Sequence, residues 1–220
     1  MIEVLYEDNH LIAVNKKSGV IVQGDKTRDI TLSDFVNEYI KKKYKKAGNV
    51  FLGIIHRLDR PTSGIVLFAR TSKALSRMNE QFRKKEVQKT YWAVVENSPP
   101  KKKGTLENYL YKNQKQNKSY VSKVSNGKHS ILEYKLLGKL NNYYHLEIQP
   151  KTGRHHQIRV QLSQIGCIIK GDLKYGAKRS NKDASIHLLA QKLEFIHPVK
   201  KEKIVLQANP PKDVVWDACQ

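Results

Sequence analysis

Phe51-Leu52-Gly53-Ile54-Ile55-His56-Arg57-Leu58-Asp59-Arg60-Pro61-Thr62-Ser63-Gly64-Ile65-Val66-Leu67-Phe68-Ala69-Arg70 is the stretch around which the chain is organised. Its two short apolar runs, Phe51 to Ile55 and Ile65 to Ala69, are bounded by Gly and charge, the pattern of strands entering and leaving a buried sheet. Between them lies a polar knot with one carboxylate, Asp59, flanked by His56, Arg57 and Arg60 and followed by the turn-forming Pro61-Thr62-Ser63-Gly64. Neighbouring cations favour the ionised form of an acid. Asp59 therefore has the surroundings of a nucleophile or base, and equally those of a structural ion pair, because both perturb a carboxylate in the same way.

Working outward, 220 residues suit one globular domain with a real core. Hydrophobic content of 39% and charged content of 28% are those of a folded, soluble chain, and no apolar run is long enough to span a membrane. The N-terminus carries Glu3, Glu7 and Asp8 where a signal peptide needs basic residues, so a cytoplasmic location is expected. Forty-one Lys and Arg against twenty Asp and Glu leave a formal charge of +21, a field that attracts polyanions, with nucleic acid first among them. A membrane surface is disfavoured, since no basic amphipathic helix shows Trp or Phe on its apolar face. Cys167 and Cys219 belong to no paired metal motif and are too few for a disulfide framework.

Along the chain, residues 2–15 read as two strands around an Asp8-Asn9 turn. Thr31-Leu32-Ser33-Asp34 forms a capping-box pattern ahead of Leu32, Phe35, Val36, Tyr39 and Ile40 at helical spacing, and the lysines from 41 to 46 complement the helix C-terminus. A second helix is expected from Thr71 or Ser72 to about Lys85, with Leu75, Met78 and Phe82 on one side, before a strand to Val95. Residues 97–130 change character. Lys101, Lys102, Lys103, Lys112, Lys115 and Lys118 are interleaved with Tyr109, Tyr111 and Tyr120 in an Asn- and Gln-rich tract, expected as a long surface excursion. Cations for phosphates and aromatics for bases are what a grip on unpaired RNA needs, although a disordered polar loop has the same composition.

Strands are expected at 130–137 and 143–148, then a helix with Ile158, Leu162 and Ile165 on its buried side, terminated by Gly166. His155 and His156 raise metal ligation, but adjacent helical residues point in different directions and no third ligand stands at a recognised spacing. Neither a metal nor an organic cofactor is expected.

Several strings then converge. His56-Arg57-Leu58-Asp59-Arg60-Pro61-Thr62-Ser63-Gly64 closely resembles the catalytic motif of the RluA-type pseudouridine synthases, RNA-modifying enzymes whose nucleophilic aspartate occupies the position of Asp59. Lys89-Thr90-Tyr91-Trp92-Ala93 is similar to their Lys-x-Tyr-x-Ala segment, with Tyr91 at the active-site tyrosine. Thr152-Gly153-Arg154-His155-His156-Gln157-Ile158-Arg159-Val160-Gln161-Leu162 resembles Thr-Gly-Arg-x-His-Gln-Ile-Arg-x-His-Leu, with Gln161 where a histidine is common. Gly171-Asp172-Leu173-Lys174-Tyr175-Gly176 continues the match. Lys16-Lys17-Ser18-Gly19 departs from the usual Lys-Pro-x-Gly at Lys17.

The resemblance runs from residue 2 to about residue 211 and implies an α+β fold, a mixed and largely antiparallel sheet with flanking helices and a catalytic cleft. It implies one catalytic domain without a separate N-terminal RNA-binding domain. It further implies isomerisation of uridines in transfer RNA or large-subunit ribosomal RNA, with Asp59, Tyr91 and Arg159 catalytic and Arg159 paired with Asp59. His56, Arg57, Arg60 and Arg154 join the six lysines of the polar tract as expected RNA contacts, and a monomer is expected. A non-catalytic RNA-binding protein would share the charge but has no need of Asp59, Tyr91 and Arg159 together, and a glycoside hydrolase would need two placed carboxylates.

Overall fold

The computed structural model describes residues 2–24, 29–122 and 127–219. The chain forms two compact units, residues 1–88 with 190–210 and residues 89–189 with 211–220.

In the first unit, β1 (Glu3–Glu7) and β2 (Leu11–Lys16) form a hairpin whose turn is tied by Asp8, its carboxylate accepting from the N–H groups of His10 and Leu11 at 2.8 Å each. α1 (Leu32–Lys43) begins on the expected capping box: Thr31 Oγ1 accepts from Asp34 N–H, and the Asp34 carboxylate accepts from Thr31 N–H. Leu32, Val36 and Ile40 recur at helical spacing and are buried, while Phe35 stands at the margin, 37% exposed.

The short β3 (Gly53–Ile54) and β4 (Ser63–Ala69) frame the polar knot, and every residue of β4 is buried. β4 runs antiparallel to β2, bringing Val66 and Phe68 beside Ile12 and Val14 as the floor on which α1 packs. α2 (Ser72–Lys84) starts on the Thr71 hydroxyl and buries Ala74 and Met78. Gln81 exchanges two hydrogen bonds with the backbone of Ile196 in β10 (Leu188–Ile196), which pairs with β11 (Lys203–Gln207).

The second unit is an antiparallel run of β5 (Gln88–Val95), β9 (Tyr144–Pro150), β8 (Lys128–Lys139), β6 (Lys103–Asn113) and β7 (Lys118–Ser122), in that spatial order. Ala93, Leu132, Tyr134, Leu146 and Ile148 turn to one side and form a core with Ile158 and Leu162 of α3 (Gln157–Gln164). A single-turn helix, α4 (Val214–Asp217), is capped by Asp213 and buries Trp216. The expected α+β class with mostly antiparallel strands and flanking helices is the observed one.

The polar tract has a different shape from the irregular excursion expected of it. Residues 103–113 and 118–122 are a regular hairpin because Leu106 and Leu110 alternate with polar neighbours at strand period, an apolar signal carried by only two side chains among lysines and amides.

Candidate active site

The Asp59 loop is built from inside the first unit. Lys16, at the end of β2, is wholly buried, and its ammonium donates to the carbonyl oxygens of Val20 at 2.7 Å and of Lys17 and Arg60 at 3.1 Å. The Arg60 carbonyl also accepts from Gly19 N–H at 2.8 Å, so the residue after Asp59 is tied twice to the segment following β2. Burial pulls the Lys16 ammonium down to about 7, the Asp59 carboxylate opposing that fall and the Arg60 charge adding to it. Asp59 closes the turn by accepting Thr62 N–H on its own carbonyl at 3.1 Å, and its side chain is half-buried. Gly64 then enters β4 at φ +113, where a Cβ would run into the Ala190 backbone, so no other residue fits without displacement.

The residues around Asp59 divide by environment. His56 faces inward: its Nε2 accepts Leu67 N–H at 3.1 Å and its ring stacks on Phe82 at 5.2 Å, so it anchors the loop to β4. Arg57 is exposed and reaches Gln23 at 3.3 Å, and Arg60 pairs with Asp29 at 2.5 Å. Both guanidinium groups lie at the surface of this unit.

In the second unit, Tyr91 on β5 is half-buried against the core that contains Ile158 and Tyr134. Arg159 is buried in the first turn of α3 and clamped by Asp172, Nε to Oδ2 at 2.7 Å and Nη2 to Oδ1 at 2.8 Å. Its guanidinium carbon lies 5.1 Å from the centre of the Tyr175 ring. The Tyr175 hydroxyl in turn accepts Ser119 N–H at 2.9 Å and hydrogen-bonds His156 Nδ1 at 2.9 Å. Asp172 and Tyr175 therefore give the Gly171–Gly176 string a physical role, holding and covering the Arg159 guanidinium. Gly171, at φ +87, lets that string pass against the Ser185 carbonyl.

His155 and His156 precede α3, His156 in the left-handed region at φ 52, and their rings stack with centroids 3.8 Å apart. The expectation of diverging helical side chains is corrected by that cap geometry. Gln161 is fully buried and donates to Leu106 O at 3.0 Å and Asn108 Oδ1 at 2.8 Å, joining α3 to β6 where the family pattern has a histidine. Arg154 is exposed and donates to the His129 carbonyl at 3.1 Å. Lys101, Lys102, Lys103, Lys112 and Lys115 are exposed, and Lys118 is half-buried.

A model of the RNA pseudouridylate synthase family matches residues 10–164, a span that contains Asp59, Tyr91 and Arg159. The ribosomal large subunit pseudouridine synthase C of Rickettsia prowazekii (strain Madrid E) is 35% identical over 215 residues, 94% of this chain and 68% of that protein. The pseudouridine synthase of the same name from Buchnera aphidicola subsp. Acyrthosiphon pisum (strain APS) is 35% identical over 219 residues, 96% of this chain and 67% of that protein. In fold, the chain is similar to human RNA pseudouridylate synthase domain containing 4, with TM-score 0.81 and 24% identity, covering 97% of this chain and 90% of the other. The chain belongs to the RNA pseudouridylate synthase family and is an RNA-modifying isomerase of the RluA type. No helix among the described residues is long and apolar enough to cross a membrane.

Proposed function

We propose that the chain isomerises uridine in large-subunit ribosomal RNA, acting as a cytoplasmic monomer, with Asp59 opening the reaction. The observation that carries this reading is the single motif carboxylate, held on a loop that Lys16 ties down through the Arg60 carbonyl. Isomerisation breaks the N1 to C1′ glycosidic bond, turns the detached uracil, joins C5 to C1′ and releases the C5 proton. One carboxylate opens this sequence, by attack at C1′ or by taking the C2′ proton. Both routes need Asp59 ionised, the state that nearby cations favour. Tyr91 packs on the uracil and assists removal of the C5 proton. The target base must leave its stack to reach the aspartate, and Arg57 takes the space it vacates.

The choice of ribosomal over transfer RNA follows the names of the relatives at about one-third identity. Incubating purified protein with large-subunit ribosomal RNA and, separately, with bulk transfer RNA, both labelled with tritium at uracil C5, tests it. Release from the ribosomal RNA alone is expected, and release from transfer RNA alone would reassign the substrate.

A further inference from the structure

In the second unit, β6, β7 and β8 have two faces of different chemistry. Leu106, Leu110, Leu132 and Tyr134 turn toward buried apolar clusters, so the odd-numbered residues of β6 and β8 face away from them. At the hairpin end of that outward face, Tyr109 stands opposite His129 and Tyr111 opposite Tyr120. The rings of each pair meet, with centroids 5.4 Å apart for Tyr109 and His129 and 5.7 Å for Tyr111 and Tyr120, the latter within 25° of parallel. Tyr109 is 40% exposed and Tyr111 48%. Neighbouring outward positions carry Lys103, Thr105, Glu133 and Lys135, so folding does not call for aromatic side chains on this face.

Charge selects the occupant. From Tyr109 to Ser122 the chain has Lys112, Lys115 and Lys118 and no acid. One acid lies against this group, Glu107 holding His129 at 2.6 Å, while Glu133, further along the face, holds Lys151 at 2.9 Å. Exposed aromatics on an antiparallel sheet, ringed by cations, take unpaired bases by stacking while the cations take phosphates. Two residues along a strand advance about 7 Å, so the two aromatic couples are spaced for two successive, splayed bases. Lys118 marks the route between the faces. It lies on β7, the last strand of this run, with its ammonium 5.3 Å from the Tyr120 ring and 5.1 Å from the ring of Tyr175, the neighbour of Arg159.

We propose that Tyr109, Tyr111, Tyr120 and His129 form a stacking platform for two consecutive unpaired nucleotides of the RNA substrate, whose backbone crosses the β7 edge at Lys118. The proposal rests on the reading of the chain as an RNA-acting synthase and narrows its substrate. The target uridine stands beside an unpaired run, not within uninterrupted duplex.

The test uses the full chain, a short oligouridylate RNA carrying one 2-aminopurine, and a fully paired RNA hairpin of similar length. The double variant Tyr111→Leu/Tyr120→Leu keeps apolar bulk and loses the rings, whereas Tyr111→Phe/Tyr120→Phe keeps them. Wild type and the Phe variant are expected to bind the oligonucleotide alike and quench its fluorescence. The Leu variant is expected to lose about tenfold or more in affinity for it, with the quench gone, as removal of a base stack requires. Its affinity for the hairpin and its salt dependence should stay at wild-type values. Replacing Lys112, Lys115 and Lys118 with Gln should instead lower the salt slope by about one for each lost phosphate contact.

Wild-type affinity and quenching in the Leu variant would overturn the platform, as would equal losses for single strand and hairpin. Should the Leu variant fail to fold by circular dichroism, the Phe variant and the quench in wild type decide: loss in the former or absence of the latter overturns it. Failure of the platform leaves tritium release by the wild type intact. Failure of the synthase reading abolishes that release while oligonucleotide stacking persists.

Discussion

Arg159 and Asp172 face each other through two parallel hydrogen bonds of 2.7 and 2.8 Å, with 5% and 1% of their side chains exposed. A bidentate pair fixes the plane as well as the position of the guanidinium, so the motif arginine is aimed by an acid 13 residues further along the chain. Removing the carboxylate takes the bidentate partner away from a buried guanidinium.

Asp172→Asn is therefore expected to lower unfolding free energy in urea by about 3–5 kcal/mol. Arg159→Met/Asp172→Leu removes both charges and should recover most of that loss, because a buried pair exchanged for apolar side chains is nearly neutral. The double variant should fold and bind RNA yet fail to isomerise it. Normal single-turnover chemistry in the folded double variant would make Arg159 a structural residue only.

Lys16→Met removes three donated hydrogen bonds and a buried cation at the root of the Asp59 loop. Turnover should fall because the loop loses its anchor. Stability carries a second signature. Unfolded lysine keeps its proton to about 10.5, whereas the folded group gives it up near 7, so folding releases a proton between those values and wild-type stability gains with rising pH. The difference in unfolding free energy between wild type and variant should grow across that window. A difference that does not change with pH would contradict the depressed ammonium.

His145 is 3% exposed, set edge-on to Trp92 at 5.0 Å and to Trp216 at 6.4 Å, and its Nε2 has no hydrogen-bond partner among the described residues. Burial pulls its imidazolium from 6.5 down to about 4. Above 6.5 neither state is charged and this packing contributes in full; as pH falls from there toward 4 the unfolded chain takes up a proton that the folded one refuses. Thermal midpoints should drop over that interval, His145 accounting for at most about 3 kcal/mol. His187, also lowered by burial against the opposing pull of Asp213, adds in the same direction. His145→Leu should flatten the acid limb, and an unchanged limb would remove His145 as its cause.

Local physics made much of this fold readable. Thr31 and Asp34 announce α1 because a capping box needs only residues three apart, and Thr71 announces α2 in the same way. The second hairpin escaped because lysine and amide residues hide the alternation of Leu106 and Leu110. Lys16 escaped because lysine is ordinarily a surface residue, and only three converging carbonyl groups, from Lys17, Val20 and Arg60, make its burial tolerable. Likewise Asp59 was legible as the sole acid of a motif, whereas the partnership of Arg159 with Asp172 joins positions that spacing alone does not connect.

Asp59→Asn keeps the size of the side chain and removes the charge that either proposed opening step requires. RNA affinity should stay near the wild-type value or rise modestly, since a negative charge facing a polyanion has gone. The decisive measurement pairs RNA affinity by filter retention with tritium release from C5-labelled large-subunit ribosomal RNA, enzyme in excess, under single-turnover conditions. Retained binding with no detectable release is the expected result. Release approaching the wild-type rate, with mass spectrometry excluding deamidation back to Asp, would show that Asp59 is a structural ion-pair residue and that the chemistry resides elsewhere.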